Sequence, residues 1–208
     1  ASFQSGEDIH ARTAAEVSSI PITEVTPDQR RTAKTVNFGV LYGLGSTGLS
    51  QTTGLTRQQA KEFIERYFQI YSGVKAFMDK SKQQAQEYGF VETLFGRKRH
   101  LPDITSTMPQ VRASAERMAG NMPVQGTAAD ILKLAMIKID KELSGWSTTA
   151  RMLLQVHDEL VFEIAADEVE TIARKAANVM ETIITLDAPI IVSAKTGVRW
   201  GTMTALPL

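Results

Sequence analysis

Residues 26 to 43 declare one helix completely, with a start, a periodic middle and a stop, and no other segment constrains the chain as tightly. Thr26-Pro27-Asp28-Gln29 supplies an N-cap hydroxyl, a proline at the first helical position, an acid that suits the helix dipole, and a glutamine that completes a capping box. Gly43 marks the stop. Between them Arg30, Lys34, Phe38 and Tyr42 recur every fourth residue. Four residues advance a helix by about 400°, so these side chains form one slowly drifting stripe, cationic at its N-terminal end and aromatic at its C-terminal end. Such a stripe is equipped to meet phosphates first and a sugar or base second. The competing reading makes Phe38 and Tyr42 core residues and the cations a solvated flank.

The 208 residues, 43% of them hydrophobic, suffice for one large core or two small ones. Lys plus Arg equals Asp plus Glu at 23 each, but the balance is uneven along the chain. Residues 30 to 133 carry fifteen basic and eight acidic groups, and the flanks cancel the excess. A basic middle suits a polyanionic partner and equally fits an ordinary surface. There is no cysteine, which excludes disulfides and thiolate metal sites. No apolar run approaches the roughly 20 residues needed to span a bilayer, and no signal pattern opens the chain, so a soluble, cytoplasmic protein without membrane contact is expected.

The first half reads as helical with glycine punctuation. A turn-rich link is expected over 46–54, a second helix from the capping box at Thr56 to about Tyr71, and a third from about Gly73 to Gly89. Residues 90–95 followed by Gly96-Arg97-Lys98-Arg99-His100 read as a short hairpin with a basic tip, facing either phosphate or water. A long helical pattern from Pro109 to about Leu143 contains Pro123, which is expected to kink or split it near Met122. The period then changes: residues 152–156 and 160–164 are strand-like on either side of His157-Asp158-Glu159, the pattern of a tight antiparallel hairpin. A helix over about 168–185 and a strand over 190–194 follow. Gly43-Leu44-Gly45-Ser46-Thr47-Gly48 matches a dinucleotide-binding pattern but follows a helix instead of a strand, so its glycines are assigned to the helix stop and the turn.

Two further groups carry chemistry. His157, Asp158 and Glu159 set an imidazole and two carboxylates at the tip of apolar strands, oxygen donors of the kind Mg²⁺ takes one or two at a time; the plainer reading is a polar turn. On the long helix Arg117, Asn121 and Gln125 share one face, with Arg112 about a turn back. These donors suit the N3 and O2 acceptors of the DNA minor groove, or form a solvated polar face.

Taken together these residues resemble the family A DNA polymerases, the bacterial DNA polymerase I group. The run Arg30-x3-Lys34-x3-Phe38-x3-Tyr42-Gly43 looks like motif B of the fingers, and Gln155-Val156-His157-Asp158-Glu159 like motif C of the palm. Asp8-Ile9-His10, Phe95-Gly96-Arg97, Ala115-Glu116-Arg117 and the run from Pro123 to Asp130 also fit, so the likeness covers almost the whole chain. The resemblance implies an α+β fold, with a helical fingers portion over 1–104 and a palm portion over 105–208 in which helices flank a short antiparallel sheet.

The resemblance further implies that His10, Arg30 and Lys34 bind the triphosphate of an incoming dNTP, with Lys34 the candidate proton donor to pyrophosphate. Phe38 would pack on the deoxyribose and Tyr42 would lie near the templating base. Asp158 would be a catalytic metal ligand, with Glu159 accessory, for two Mg²⁺ ions in the complete enzyme. Arg112, Arg117, Asn121, Gln125 and His157 would contact primer–template DNA. One departure matters: the family's second metal-binding aspartate, in motif A, would by its spacing lie about twenty residues before Ala1. The expected protein is therefore the C-terminal part of a larger polymerase, partnered by the missing N-terminal part and inactive alone. The alternative is a non-catalytic DNA- or nucleotide-binding module of the same fold.

Overall fold

A computed structural model of the chain describes residues 6–208. It is an α+β protein with two compact units, one ending at Thr127 and the other running from Ala128 to Leu208. The first holds α1 (Ile9–Ser18), α2 (Pro27–Leu41), α3 (Ser46–Thr53), α4 (Arg57–Ile70), α5 (Ser72–Tyr88) and the hairpin of β1 (Phe90–Glu92) with β2 (Lys98–His100). The boundary falls within α6 (Pro109–Trp146). The second unit holds the hairpin of β3 (Arg151–Val156) with β4 (Glu159–Glu163), then α7 (Val169–Thr182) and the pair β5 (Ala194–Thr196) and β6 (Thr204–Leu206).

The helices start where their caps dictate. Thr26 and Thr56 each accept a hydrogen bond from the amide three residues on, at 3.2 Å, and the glutamine Oε1 there accepts one from the threonine amide at 2.9 Å, so both expected capping boxes form. α2 and α4 then bury Val36, Val40, Ala60 and Tyr67 with Val17 of α1 and Leu49 of α3. A second cluster in this unit joins Ala85, Val91, Leu101 and Ile104 to Ala115, Ala119 and Met122 of α6. In the other unit α7 packs Ile172, Ala176 and Val179 against Ile139, Leu143, Trp146 and the inner residues of β3 and β4.

Several expectations need correction. Residues 46–53 are a helix, not a link: Leu49 is fully buried, and a side chain at Gly39 or Gly48 would run into Leu44. Packing therefore outweighs the weak propensity of Ser46-Thr47-Gly48. Of the two outcomes expected at Pro123, a split does not occur, since α6 runs through it as one helix. The lost bond and ring clash, about 3 kcal/mol in an ordinary helix interior, are offset where Ala119 and Met122 bury one face. The next turn is also tied down, since Thr127 Oγ1 donates to the Pro123 carbonyl and accepts from Leu94 N at 3.0 Å. The hairpin tip is not wholly wet, because Arg97 Nη2 donates to the Gly126 carbonyl at 3.0 Å. α7 ends at Thr182, and the last strands lie at 194–196 and 204–206, where two antiparallel runs find each other. Among the described residues the strands form three separate two-stranded sheets.

Gly126 illustrates how closely the 93–97 loop seats on α6, for a methyl placed there would lie 2.7 Å from Thr93 Cγ2 and 3.2 Å from Arg97 Nη2. At Gly145, in the last turn of the same helix, a methyl meets nothing within 4 Å. Gly126→Ala is expected to destabilise by about 1–3 kcal/mol through overpacking. Gly145→Ala is expected to stabilise by roughly 0.5–1 kcal/mol through helix propensity. Chemical denaturation of the two variants beside the parent chain measures both, and equal stabilities would contradict the packing described.

Candidate functional site

α2 separates its two faces cleanly. Ala33, Val36 and Val40 are buried against the neighbouring helices, while Arg30, Lys34, Phe38 and Tyr42 face outward. Phe38 is 49% exposed and Tyr42 45% exposed, which excludes the reading of the aromatic pair as core. The stripe is a surface feature, and large exposed aromatics in line with two cations call for a partner.

α1 lies beside this stripe, and its start was not foreseen in the sequence. Asp8 is its N-cap: Oδ1 accepts from the amides of His10 at 2.9 Å and Ala11 at 3.1 Å. The other carboxylate oxygen accepts from Arg30 Nε at 2.7 Å. The Arg30 hydrogen bond, followed by that from the Ala11 amide, holds the Asp8 carboxyl below its ordinary range. Capping α1 and orienting the first cation of the stripe are thus one act. Lys34, one turn on, is exposed and makes no ion pair among the described residues.

His10 lies alongside the stripe, its ring centroid 5.6 Å from that of Phe38 with the planes tilted by 50°. Asn37 Nδ2 lies 3.0 Å from His10 Nδ1 and 3.1 Å from Thr13 Oγ1. Behind them Tyr71 donates to Glu16 at 2.7 Å, and Arg12 Nε donates to the same carboxylate at 2.6 Å. Burial and the bond to Glu16 push the Tyr71 phenol up to about 12. Burial is also the main cause that lowers the His10 pKa; Asp8 opposes it, and Arg30 and Lys34 add to it. A lowered folded-state value favours the neutral ring, so this contribution to stability is full above the ordinary histidine value and is lost as pH falls through the folded one. Sequence reasoning passed over Asn37, Thr13, Glu16 and Tyr71; the available signal was Asp8-Ile9-His10, in which a capping acid precedes a histidine.

The polar face of α6 is as expected. Arg117 and Gln125 are exposed and Asn121 half-buried, opposite the buried Ala115, Ala119 and Met122. Arg112 is held locally, donating to the Ser106 carbonyl at 3.1 Å and lying 4.0 Å from Glu116. Arg117 reaches the stripe: its aliphatic stem lies over Gly43, where a β-carbon would collide with it. Gly43, at φ 77°, needs glycine for its backbone as well. The first unit therefore joins one member of the α6 face to the end of the α2 stripe.

The carboxylate turn belongs to the second unit. Val156 pairs with Glu159, so the turn proper is His157-Asp158 and Glu159 is the first residue of β4. His157 takes the left-handed conformation at φ 54°, uncommon without glycine, and Gln155 Nε2 donates to its carbonyl at 2.6 Å. Asp158 and Glu159 are exposed. Among the described residues no group of three or more His, Asp or Glu side chains is placed to hold a metal ion. Two adjacent carboxylates still fit Mg²⁺ as part of a ligand set, since that ion takes one or two and leaves its other positions to water and phosphate.

The family model described as DNA polymerase family A matches residues 1–202. DNA polymerase I of Pseudomonas aeruginosa is 47% identical over 198 residues, which cover 95% of this chain and 22% of that protein. The thermostable DNA polymerase I of Thermus aquaticus is 48% identical over 198 residues, 95% of this chain and 24% of its own length. Among solved structures, the POL domain of Pol1 from M. smegmatis in complex with DNA primer-template and dNTP superimposes with a TM-score of 0.85 at 40% identity, covering 90% of this chain and 33% of that one. The chain thus spans less than a quarter of the length of these two relatives. It belongs to DNA polymerase family A.

Proposed function

We propose that the chain forms the fingers (1–104) and part of the palm (105–208) of a DNA-directed DNA polymerase that adds deoxynucleotides to a primer 3′ end. The observation that carries this reading is the exposed stripe on α2, cations leading to aromatics, with the His10 ring set against Phe38. Arg30, Lys34 and His10 bind the triphosphate of the incoming dNTP, and Lys34 gives a proton to the leaving pyrophosphate. Phe38 packs on the deoxyribose and Tyr42 lies beside the templating base. Arg112, Arg117, Asn121, Gln125 and His157 hold primer–template DNA through its backbone and minor groove, where contacts carry little sequence information. Asp158, assisted by Glu159, would hold Mg²⁺ together with ligands from the rest of the polymerase. When bound, the metal neutralises charge on the reacting phosphate and activates the primer hydroxyl.

Exposed carboxylates that repel phosphate are of no use to a pure DNA-binding module, and this favours the enzyme over the non-catalytic alternative. No helix among the described residues is long and apolar enough to cross a membrane.

The 208-residue chain alone is expected to bind dNTP and primer–template DNA without extending the primer. Asp158 and Glu159 without further ligands would hold Mg²⁺ too loosely to align the reacting oxygens, and a displacement of about 1 Å costs roughly 10²-fold in rate. Primer extension with Mg²⁺ and dNTPs tests this, and product above a no-protein control would overturn it. Lys34→Ala should weaken dNTP binding by about tenfold or more, the worth of one charge-assisted bond, with little change in thermal stability because the side chain is exposed.

Sugar selection gives a separate test. Phe38 has no hydroxyl to occupy the place of a missing 3′-OH, so the parent polymerase should discriminate against dideoxynucleotides and its Phe38→Tyr variant should accept them more readily. Equal incorporation by the two would remove Phe38 from the sugar contact.

A further inference from the structure

Hydrogen positions in the group behind the stripe follow from counting donors. Tyr71 commits its only hydroxyl proton to Glu16 at 2.7 Å. Thr13 also has one proton, and Ile9 O at 2.8 Å is closer than Tyr71 Oη or Asn37 Oδ1, each at 3.2 Å. With that proton given to Ile9, Thr13 Oγ1 turns a lone pair toward Asn37 and accepts from Nδ2 at 3.1 Å. The same nitrogen has a second hydrogen, and the atom 3.0 Å from it is His10 Nδ1. An acceptor at Nδ1 leaves the imidazole neutral with its proton on Nε2.

We propose that Asn37 is a positioning residue that locks His10 in the Nε2–H tautomer, so that the ring donates a hydrogen bond to a phosphate oxygen of the nucleotide. This rests on the reading of His10 as a triphosphate ligand. Phosphate oxygens only accept, so the other tautomer would turn a lone pair toward them and repel where it should bind. Arg30 and Lys34 supply charge on the same side, while a neutral histidine adds direction without a third positive charge. Burial of the ring works the same way, since it opposes protonation. Asn37 suits this task because it lies on α2 between the buried face and the stripe, half-buried, one residue before Phe38. From there it reaches α1 while leaving the outer surface to the nucleotide. Thr13, itself fully buried, fixes the amide from behind.

The 208-residue chain with ring-¹⁵N-labelled histidine tests the tautomer directly. It contains three histidines, and His10 is identified by the signals lost in His10→Gln. The expected spectrum shows an unprotonated acceptor at Nδ1 and a proton on Nε2. In Asn37→Asp, close to the native residue in size, the carboxylate only accepts, so the proton should move to Nδ1 and the His10 titration midpoint should rise. A dNTP titration supplies the second readout: Asn37→Ala should weaken binding by about tenfold, and the effect should vanish in a His10→Ala background.

A purely structural role for Asn37 would weaken binding in both backgrounds and overturn the proposal. So would a proton on Nδ1 in the native chain, or a tautomer that ignores replacement of Asn37; in those cases the nucleotide reading of His10 stands. If the tautomer is as stated but His10→Ala leaves dNTP affinity unchanged, the nucleotide reading of His10 fails, and the proposal with it.

Discussion

The division of α2 into two faces is the constraint on which the site depends. Ala33, Val36 and Val40 are buried on one side of the helix, the two valines among residues of α1, α3 and α4, and fully burying each valine is worth about 1.5–3 kcal/mol. That burial fixes the rotation of the helix about its axis. Once it is fixed, a repeat of four has no choice but to present Arg30, Lys34 and Phe38 outward. The functional stripe therefore needs no device of its own to stay exposed. Its exposure is enforced by the apolar residues behind it, and a change in the buried face that rotated the helix would move every member of the stripe together.

A second economy lies in Asp8. One oxygen caps α1 and the other holds Arg30, so the start of one helix is registered against the start of the stripe on another. The pair is substantially exposed, and ion pairs of that kind contribute only about 0–1 kcal/mol. Its value lies in geometry: it restrains a long, flexible cation before any ligand arrives, which reduces the ordering cost of binding. At the other end of α2 a glycine with positive φ lets the chain turn sharply and lets the Arg117 stem lie across it.

How much of this was legible in the sequence follows from the range of the forces involved. The starts of α2 and α4 were readable because capping boxes form between residues three apart. The β3–β4 hairpin was readable because its period and turn are local as well. α3 was not, because its helix is held by Leu44 and Leu49 in contacts that composition does not announce. The unbroken course of α6 past Pro123 was hidden for the same reason, since the 93–97 loop that ties down its next turn lies about thirty residues away. The last strand was misplaced because its limits are set by a partner at 204–206. Within the site the stripe could be read from periodicity, whereas the Asn37–Thr13–His10 group exists only once α1 lies across α2.

The carboxylate turn shows a different balance. A lone two-stranded hairpin is marginal in water, so the position of Asp158 is only as firm as the packing beneath it. Leu160 and Phe162 of β4 pack with Ile139, Ala176 and Val179, while Met152 and Ile164 join Leu143, Ala150 and Ile172. A bulge between Met152 and Leu154 breaks the alternation of β3, and Leu153 and Leu154 both end up about half exposed. The hairpin is thus anchored through its inner face, while strand-forming apolar residues on β3 remain open to a neighbour. At the tip His157 accepts an unfavourable backbone conformation, which costs on the order of 1–3 kcal/mol and persists only where the surroundings enforce it. The paired strands and the Gln155 side chain do so here, and the outcome is a two-residue turn that holds Asp158 outward, with Glu159 beginning the strand beside it.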